Sequence, residues 1–230
     1  MIEDLTIIIK TFERPDSLNR CLTSIRKLYN DVKVIVADDS KEPLVNTLAN
    51  EYYSLPFDSG LSRGRNFLLT KVNSKYTMLI DDDTIFTVES DLQSMLNILE
   101  TTPEINLVAG LIKGNKHYGV MHVDGDILYK VCGESKRKIN GNKIFDIVVN
   151  LFIARTDKLK QTHWCDELKI CEHTEYFYRY RDTLTCTVDF NTLFINTSER
   201  NDTYTKYRDR VEEYMKLQCN IIGVEEIKLN

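Results

Sequence analysis

The first 112 residues alternate between short apolar runs and segments in which apolar residues recur at helical spacing. The apolar runs are rich in β-branched residues, and they predict buried strands over Leu5–Ile9, Val32–Ala37 and Tyr76–Ile80. Helical spacing follows Pro15, covers Ser62–Val72, and returns after Ser90, where Ser90 and Gln93 fit a capping box. The pattern therefore predicts strands and helices in alternation.

A strand, a helix and a second strand follow one another within about 30 residues, which is the length of a βαβ unit with parallel strands. We therefore predict an α/β protein with an open, mostly parallel sheet and helices on both faces. The sequence contains neither an evident linker nor a repeat, so we expect a single domain over residues 1–230. Residues 1–112 would form one half and residues 113–230 a mixed, antiparallel half.

The pattern of the second half is less regular. Loose alternation over Tyr118–Val131 favours antiparallel strand, and the basic segment Ser135–Asn142 is typical of a mobile loop. Strands are predicted over Phe145–Ala154 and Thr185–Val188, and a helix over Glu172–Tyr180. A C-terminal amphipathic helix is indicated by Tyr204, Tyr207, Val211, Tyr214 and Met215.

Composition excludes several classes of protein. The chain has 230 residues, of which 42% are hydrophobic and 28% charged, so disorder, collagen and coiled coil are excluded. A net charge of −5 argues against a nucleic-acid binder, and no apolar run reaches the ~18 residues of a membrane helix. Acidic residues precede the first short apolar run. We therefore expect no signal peptide, a cytoplasmic location and six reduced cysteines.

Polar side chains follow each predicted strand of the first half, at residues 11–14, 38–40 and 81–83. In an open α/β sheet, ligands bind beyond the carboxyl ends of the strands. The successive carboxylates of Asp81, Asp82 and Asp83 stay ionised at low cost only if a cation or solvent offsets their charge. Their hard oxygen donors suit Mg²⁺ or Mn²⁺ shared with substrate phosphates, so we expect a divalent metal as cofactor.

Two other enzyme classes and one non-functional interpretation also fit acids at a strand end. Haloacid-type phosphatases carry D-x-D-x-T after their first strand, whereas here Thr84 comes one place early and the strand is not the first. A nucleotidyltransferase would share the βαβ core and the metal-binding aspartates, but it normally has a glycine-rich loop where this chain has Lys10–Pro15. The remaining interpretation is a solvated acidic turn.

Four segments together resemble the family-2-like glycosyltransferases of the GT-A fold. They share the order and spacing of that family and are Thr11–Pro15, Val36–Ser40, Gly60–Asn66 and Asp81–Asp83. A closer resemblance, to the ganglioside-type β-1,4-N-acetylgalactosaminyltransferases, continues through Ala154–Lys158 and Cys171–Phe177. It covers residue 5 to roughly residue 190, which is most of the chain.

The resemblance implies a site for a UDP-sugar donor. The side chains expected to line the nucleotide pocket are Thr11, Phe12 and Arg14. Either Asp38 or Asp39 would accept a hydrogen bond from the edge of the uracil ring. Arg65, at the start of its helix, would reach the base or the diphosphate.

The resemblance also implies roles for the three aspartates. Asp81 or Asp82 would face the ribose, and Asp83, with Asp81 as the other member of a D-x-D pair, would bind the metal that bridges the diphosphate. A metal and an arginine would offset the charge of the leaving nucleoside diphosphate. The closer family has a histidine after a late strand and aspartate, where this chain has Phe190 after Asp189. We therefore expect a loose site that prefers Mn²⁺, with Asp189 or water filling in.

The general base is expected in the stretch Glu172–Glu175. Inverting GT-A enzymes often place an acidic pair six residues before an arginine, and counting back from Arg179 gives His173, with Glu172 before it. A histidine with a near-neutral pKa is a reasonable base, and Glu175 is the alternative on the same stretch. With His173 as base, activity would fall below about pH 6.5.

The sequence thus predicts an inverting, metal-assisted glycosyltransferase. It would move N-acetylgalactosamine or a related hexose from a UDP-sugar to a hydroxyl of a glycan, glycolipid or glycoprotein acceptor. Two alternatives stay open: a nucleotidyltransferase with a similar core, and a nucleotide-sugar-binding domain with weakened catalysis, which Phe190 makes conceivable.

Overall fold

The computed structural model of the protein describes residues 2, 4–197 and 201–230, without the side chain of residue 208. The elements of the first half, in chain order, are β1 (Leu5–Thr11), α1 (Pro15–Leu28), β2 (Lys33–Asp38), β3 (Glu51–Ser54), α2 (Leu61–Lys71), β4 (Tyr76–Asp81), β5 (Thr84–Ile85), α3 (Leu92–Thr101) and β6 (Leu107–Ile112). The three predicted strands and the predicted helices are confirmed, and β3 is an additional short strand.

The second half supplies further strands and helices. They are β7 (Tyr118–Asp124), β8 (Ile127–Cys132), β9 (Arg137–Ile139), β10 (Asn142–Phe145), β11 (Ile147–Val148), β12 (Phe152–Arg155), α4 (Thr156–Leu159), α5 (Glu172–Tyr180), β13 (Cys186–Asn196), α6 (Asp202–Arg208), α7 (Val211–Ile222) and β14 (Glu226–Leu229). The predicted helix over Glu172–Tyr180 is confirmed, whereas the predicted C-terminal helix is two helices.

Both halves of the chain contribute to one central sheet. In the described part of the chain it has ten strands in the order β3-β2-β1-β4-β12-β6-β13-β10-β9, with β5 added against β13. The strands from β3 to β4 are parallel, as are β6 and β13, whereas β12, β10 and β9 run antiparallel to their neighbours. The predicted open α/β sheet is therefore confirmed.

Helices cover both faces of this sheet because its central strands are apolar on both sides. Side chains alternate along a strand, so Ile7 and Ile9 of β1 pack in one core with α1 and α3, while Ile8 packs in the other. That second core includes Leu68 of α2 and Tyr176 of α5. All three isoleucines are fully buried.

A second, four-stranded sheet has the order β11-β7-β8-β14. The antiparallel hairpin of β7 and β8 confirms the prediction for Tyr118–Val131, and its turn is made at Gly125, where φ is +57°. Strand β14 pairs in parallel with β8, so the end of the described chain belongs to this small sheet.

The prediction of a mobile loop over Ser135–Asn142 is wrong, because this segment contains β9 and the turn into β10. Asn140 and Gly141 both have positive φ, 46° and 84°, which is typical of the two-residue turn that an Asn-Gly pair favours in hairpins. Strand β10 then pairs with β13, so the hairpin forms an edge of the central sheet.

Three other predictions are corrected. The predicted capping box is wrong: Asp91 caps α3 by accepting a hydrogen bond from the Ser94 amide at 3.0 Å, while the Ser90 hydroxyl donates to the Leu193 carbonyl. The segment Phe145–Ala154 is interrupted between β10, β11 and β12, since Asp146 turns inward to accept a hydrogen bond from the Met121 amide. The predicted strand Thr185–Val188 instead begins at Cys186 and continues to Asn196.

The strands β1, β2 and β4 end at the same edge of the sheet, and α6 lies against the residues that follow β1. Within the described residues, no helix is both long and apolar enough to cross a bilayer.

Candidate active site at the carboxyl edge of the sheet

The polar clusters after β1, β2 and β4 meet in one pocket of about 110 Å³. Lys10, Phe12 and Arg14 enter it from the first cluster, Asp39 from the second, and residues 81–83 from the third. Parallel neighbouring strands bring their carboxyl ends together, so this juxtaposition follows from the topology. The pocket is thus built from segments that are far apart in sequence.

Asp39, and not Asp38, faces the pocket. Asp39 is buried, forms an ion pair with Lys10 and accepts a hydrogen bond from the Gly60 amide at 2.8 Å. Burial raises the pKa of Asp39 and lowers that of Lys10, while the attraction between the two charges opposes both shifts. Asp38 instead accepts hydrogen bonds from the Tyr52 hydroxyl at 2.5 Å and the Ser40 amide at 2.8 Å.

Arg14 holds two of the three aspartates. It forms ion pairs with Asp82 and, at 3.2 Å, with Asp83, and its guanidinium lies 4.2 Å from the centroid of the Tyr204 ring. The Thr11 hydroxyl donates to Asp82 at 2.6 Å, so Thr11 lies beside Asp82 and is not among the described pocket-lining residues. Burial raises the pKa of Asp82 to about 6, although Arg14 lowers it.

Asp81 and Asp83 are the carboxylates that could hold a divalent cation. Both line the pocket; the side chain of Asp81 is 40% exposed, and Asp83 accepts a hydrogen bond from Asn196 at 2.8 Å. Burial and the negative charge of Asp81 raise the pKa of Asp83, so a cation between the two carboxylates would relieve their repulsion. The described residues contain no cluster of three acidic, histidine or cysteine ligands. The pair therefore fits a Mg²⁺ or Mn²⁺ ion that takes its other ligands from phosphate and water.

Phe190 and Asp189 do not line the described pocket. The Phe190 ring packs against Tyr118 and Phe145, with centroid distances of 5.4 and 6.3 Å. Asp189 is buried and accepts hydrogen bonds from the Asn191 amide at 3.0 Å and the Thr192 hydroxyl at 2.7 Å. The expectation that Asp189 fills in as a metal ligand thus finds no support in these contacts.

The contact between β13 and the acidic cluster is made at the other end of the strand, by Asn196. Its side-chain amide donates to Asp83, and Asn196 pairs with Thr84 in the register between β13 and β5. A neutral side chain therefore supports Asp83 from this strand.

Arg65 lies behind the pocket and does not point into it, which differs from its expected position against the nucleotide. It is 1% exposed, forms an ion pair with Glu172, and binds Asp81 at 2.8 Å. Asn150 donates to the same Glu172 oxygen at 3.1 Å. One guanidinium thus connects an aspartate of the pocket with the first residue of α5.

Replacing Arg65 by leucine should destabilise the fold by about 3–5 kcal/mol, because Glu172 would stay buried without its charged partner. The free energy of unfolding in urea measures this loss. Arg63→Leu on the exposed face of the same helix is the matched control and should change it by less than about 0.5 kcal/mol. Equal effects of the two substitutions would contradict a structural role for the Arg65 ion pairs.

The other two candidates for the general base on α5 have different surroundings. The Nε2–H group of His173 donates to the Val148 carbonyl at 2.7 Å, and His173 borders a second cavity. Burial lowers the pKa of His173 to about 4, so its ring is neutral at pH 7 with Nδ1 as the basic atom. Both oxygens of Glu175 bind Arg179, at 2.7 and 2.9 Å. Burial raises the pKa of Glu175, and the arginine opposes this shift.

Several pocket residues were missed by the sequence analysis. Lys169 and Arg210 both bind the carboxylate of Asp58, at 2.7 and 3.2 Å. Tyr207 packs edge-on against the Phe12 ring, with centroids 5.0 Å apart. These residues lie in loops or on helices whose approach to the pocket depends on the tertiary fold, and only the aromatic spacing of α6 was visible in the sequence.

The chain matches the model of the family described as "Glycosyl transferase family 2" over residues 6–194. It is 37% identical over 180 residues to a mouse protein named Beta-1,4 N-acetylgalactosaminyltransferase 2, and 34% identical over 187 residues to human Beta-1,4 N-acetylgalactosaminyltransferase 1. Each alignment covers 75% of this chain and 35% of the relative, so the chain spans about a third of the length of these relatives.

Solved structures of glycosyltransferases share the fold. Crystal structures of S. aureus TarS 1-349 include a complex with UDP-GlcNAc, which matches with a TM-score of 0.67 and 14% identity over 96% of this chain and 66% of that one. The mannosyltransferase PcManGT from Pyrobaculum calidifontis, in complex with GDP-Man and Mn2+, matches with a TM-score of 0.64 and 10% identity over 95% of this chain and 63% of that one. The central sheet, the acidic pocket at its edge and the family match agree: the chain belongs to glycosyl transferase family 2.

Proposed function

We propose that this protein is an inverting glycosyltransferase that moves a sugar from a UDP-sugar to an acceptor hydroxyl, assisted by a divalent metal. The observation that carries the proposal is the pocket in which Asp81 and Asp83 lie beside a set of cationic side chains at the carboxyl edge of the sheet. N-acetylgalactosamine is the favoured sugar, because the curated relatives are named as N-acetylgalactosaminyltransferases. Since strands of both halves interleave in one sheet, we treat residues 1–230 as a single domain.

The cations of the pocket suit a diphosphate. Lys10, Arg14, Lys169 and Arg210 all line it, each beside a carboxylate that a phosphate could partly replace as a partner. The volume of about 110 Å³ is smaller than the roughly 300 Å³ at which ligand pockets begin. Donor binding therefore requires that α6, whose Tyr204 and Tyr207 also line the pocket, shift outward.

Asp81 and Asp83 would hold the divalent ion. When bound, such an ion offsets the negative charge that grows on the leaving nucleoside diphosphate. Arg14 is positioned to contribute to the same effect from the protein side, since it already neutralises the acidic cluster. Lys10 keeps Asp39 in place, and Asp39 is the carboxylate available for the edge of a uracil ring.

We assign the general base to Glu172, ahead of His173 and Glu175. Arg65 and Asn150 both bind Oε1 of Glu172, which leaves Oε2 as the atom available to accept a proton. Through Arg65, Glu172 is connected to Asp81 of the donor pocket, whereas both oxygens of Glu175 are taken by Arg179. The Asn150 Oδ1 atom is buried and has no hydrogen-bond partner among the described residues, so it could accept from the acceptor hydroxyl.

The donor assignment can be tested by binding of UDP, because the chain offers a matched pair of aspartates. Asp39→Asn should weaken UDP binding at least tenfold in calorimetry, since Asp39 lies in the pocket. Asp38→Asn should change it less than twofold, since Asp38 binds Tyr52 and Ser40 outside it. Equal effects of the two substitutions, or tighter binding of GDP than of UDP, would overturn the assignment.

A donor screen by thermal shift extends this test to the sugar and the metal. UDP-sugars at 100 times their Kd should add about 2.7 kcal/mol to the stability of the folded state. Slow hydrolysis of the stabilising UDP-sugar without acceptor would identify an enzyme, whereas stabilisation without any turnover would favour a nucleotide-sugar-binding domain.

A further inference from the structure

The segment that leads into α5 borders two cavities. Lys169 and Ile170 line the donor pocket, whereas His173 lines a second cavity of about 290 Å³. Glu172 lies between these residues in the chain. The second cavity is otherwise formed by β7, β8 and the residues just before β7, and its volume is close to that of a small ligand site.

Four basic side chains line this second cavity. They are Lys116, His117, Lys130 and His173, and none of the described lining residues is acidic. Lys130 is half-buried, and its ammonium group donates to the Thr174 hydroxyl at 3.3 Å. No described carboxylate forms an ion pair with Lys130, although partly buried charges in proteins are usually paired.

The basic groups of the cavity repel one another. Burial lowers the pKa of Lys130, and it lowers the pKa of His117 and of His173, with the charge of Lys130 adding to the effect on both histidines. Glu172 opposes the shift of His173, but Glu172 itself binds Arg65 and Asn150. An anion in the cavity would stabilise the charged form of every one of these groups.

We infer that the second cavity binds an acidic group, a carboxylate or a phosphate, carried by the acceptor. The inference rests on the proposed function, because it takes the ligand to be the acceptor of the transfer. An acceptor held by its acidic group against Lys130 and His173 would have its neighbouring hydroxyl beside Glu172, which follows Ile170 of the donor pocket by two residues. The cavity would therefore select acidic acceptors over neutral ones.

The experiment compares three monosaccharides that differ only in charge: galactose, galacturonic acid and galactose 6-phosphate. Binding to the full chain is followed by NMR through the imidazole signals of His117 and His173. We expect at least one of the two acids to bind at least tenfold more tightly than galactose and to shift these signals but not those of His163, which is outside the cavity. Tighter binding of galacturonic acid would assign a carboxylate, and tighter binding of galactose 6-phosphate would assign a phosphate.

Lys130→Gln should weaken binding of the preferred acid at least tenfold, and Lys130→Arg should restore most of it. Lys113→Gln removes an exposed lysine outside the cavity and should have no effect. Equal affinities for galactose and the two acids, or unchanged acid binding in Lys130→Gln, would overturn the inference.

Binding of UDP is measured in the same samples. If UDP binds and the acids do not, the inference fails and the proposed function stands. If the acids bind and UDP does not, the cavity is an anion site, and the proposed transfer is wrong. Retention of UDP affinity in Lys130→Gln shows that this variant is folded.

Discussion

Replacing Asp83 by asparagine is expected to lower the rate of sugar transfer by about 10²–10³ while the fold survives. Asp83 is the more buried of the two pocket carboxylates assigned to the metal, and it accepts hydrogen bonds from Arg14 and Asn196. Asparagine keeps the size and the oxygen of the side chain but removes its charge. The substitution therefore isolates the part of the effect that comes from charge.

The binding of Mn²⁺ gives a readout that does not depend on turnover. Calorimetric titration of Mn²⁺ in the presence of UDP should show at least tenfold weaker binding in Asp83→Asn than in the unsubstituted protein, because a two-carboxylate site loses one of its anionic ligands. Asp81→Asn should show the same direction of change and should also loosen Arg65, which binds Asp81 at 2.8 Å.

Asp126→Asn is the matched control for both measurements. Asp126 is exposed in the turn between β7 and β8, so its substitution should leave transfer and Mn²⁺ binding unchanged. Full activity of the unsubstituted protein in excess chelator would remove the metal from the mechanism, whatever the result for Asp83→Asn. Expected removal of the metal by chelator should instead reduce activity as far as Asp83→Asn does.

The central strands could be predicted from the sequence because burial on both faces requires uninterrupted apolar residues. The runs in β1, β2 and β4 meet that requirement and are easily recognised. Strand β3, an edge strand with the sequence Glu-Tyr-Tyr-Ser, has no such run and was missed. The hairpin of β9 and β10 was also missed, although its Asn-Gly pair is a strong turn signal in a basic segment.

The location of the site was predictable from topology, whereas the directions of its side chains were not. The clusters after β1, β2 and β4 had to meet because parallel strands end at one edge. The choice between Asp38 and Asp39 depends on which face of the chain each occupies after the strand ends. The position of Arg65 depends on Glu172, which lies 107 residues away in the sequence. Such pairings become visible only in the fold.

The helix α6 shows the same limit for the cover of the pocket. Its aromatic residues were interpreted as the apolar face of an amphipathic helix, which is the usual meaning of that spacing. In the structure, Tyr207 instead packs against Phe12 and Phe57, with centroid distances of 5.0 and 5.7 Å. The contact joins the end of the chain to the loop after β1, and no local pattern announces it.

The base of the reaction can be identified by three substitutions on α5. We expect Glu172→Gln to reduce kcat by about 10²–10⁴, the usual effect of removing a general base, with UDP affinity changed less than threefold. His173→Ala should mainly raise the KM for the acceptor, because His173 lines the second cavity. Glu175→Gln should mainly lower stability, because it removes one member of the Glu175–Arg179 ion pair.

The pH profile alone separates these candidates less well than the sequence suggested. A base must be deprotonated, so activity falls as pH decreases through its pKa. The pKa of His173 is lowered by burial to about 4, and that of Glu175 is raised by burial from its ordinary value of about 4.3. A fall in activity near pH 6.5 is therefore not expected for His173, and a fall nearer pH 4–5 would fit either residue.

The substitutions decide the assignment because they change different kinetic constants. Glutamine at position 172 keeps the hydrogen bonds from Arg65 and Asn150 to a side-chain oxygen, so a loss of kcat would report the lost proton acceptor. Unfolding in urea checks that the variant keeps its stability within about 1–2 kcal/mol of the unsubstituted protein. If Glu172→Gln keeps near-full kcat while His173→Ala loses it at unchanged acceptor KM, the proton goes to Nδ1 of His173, and the role of Glu172 is to position Arg65.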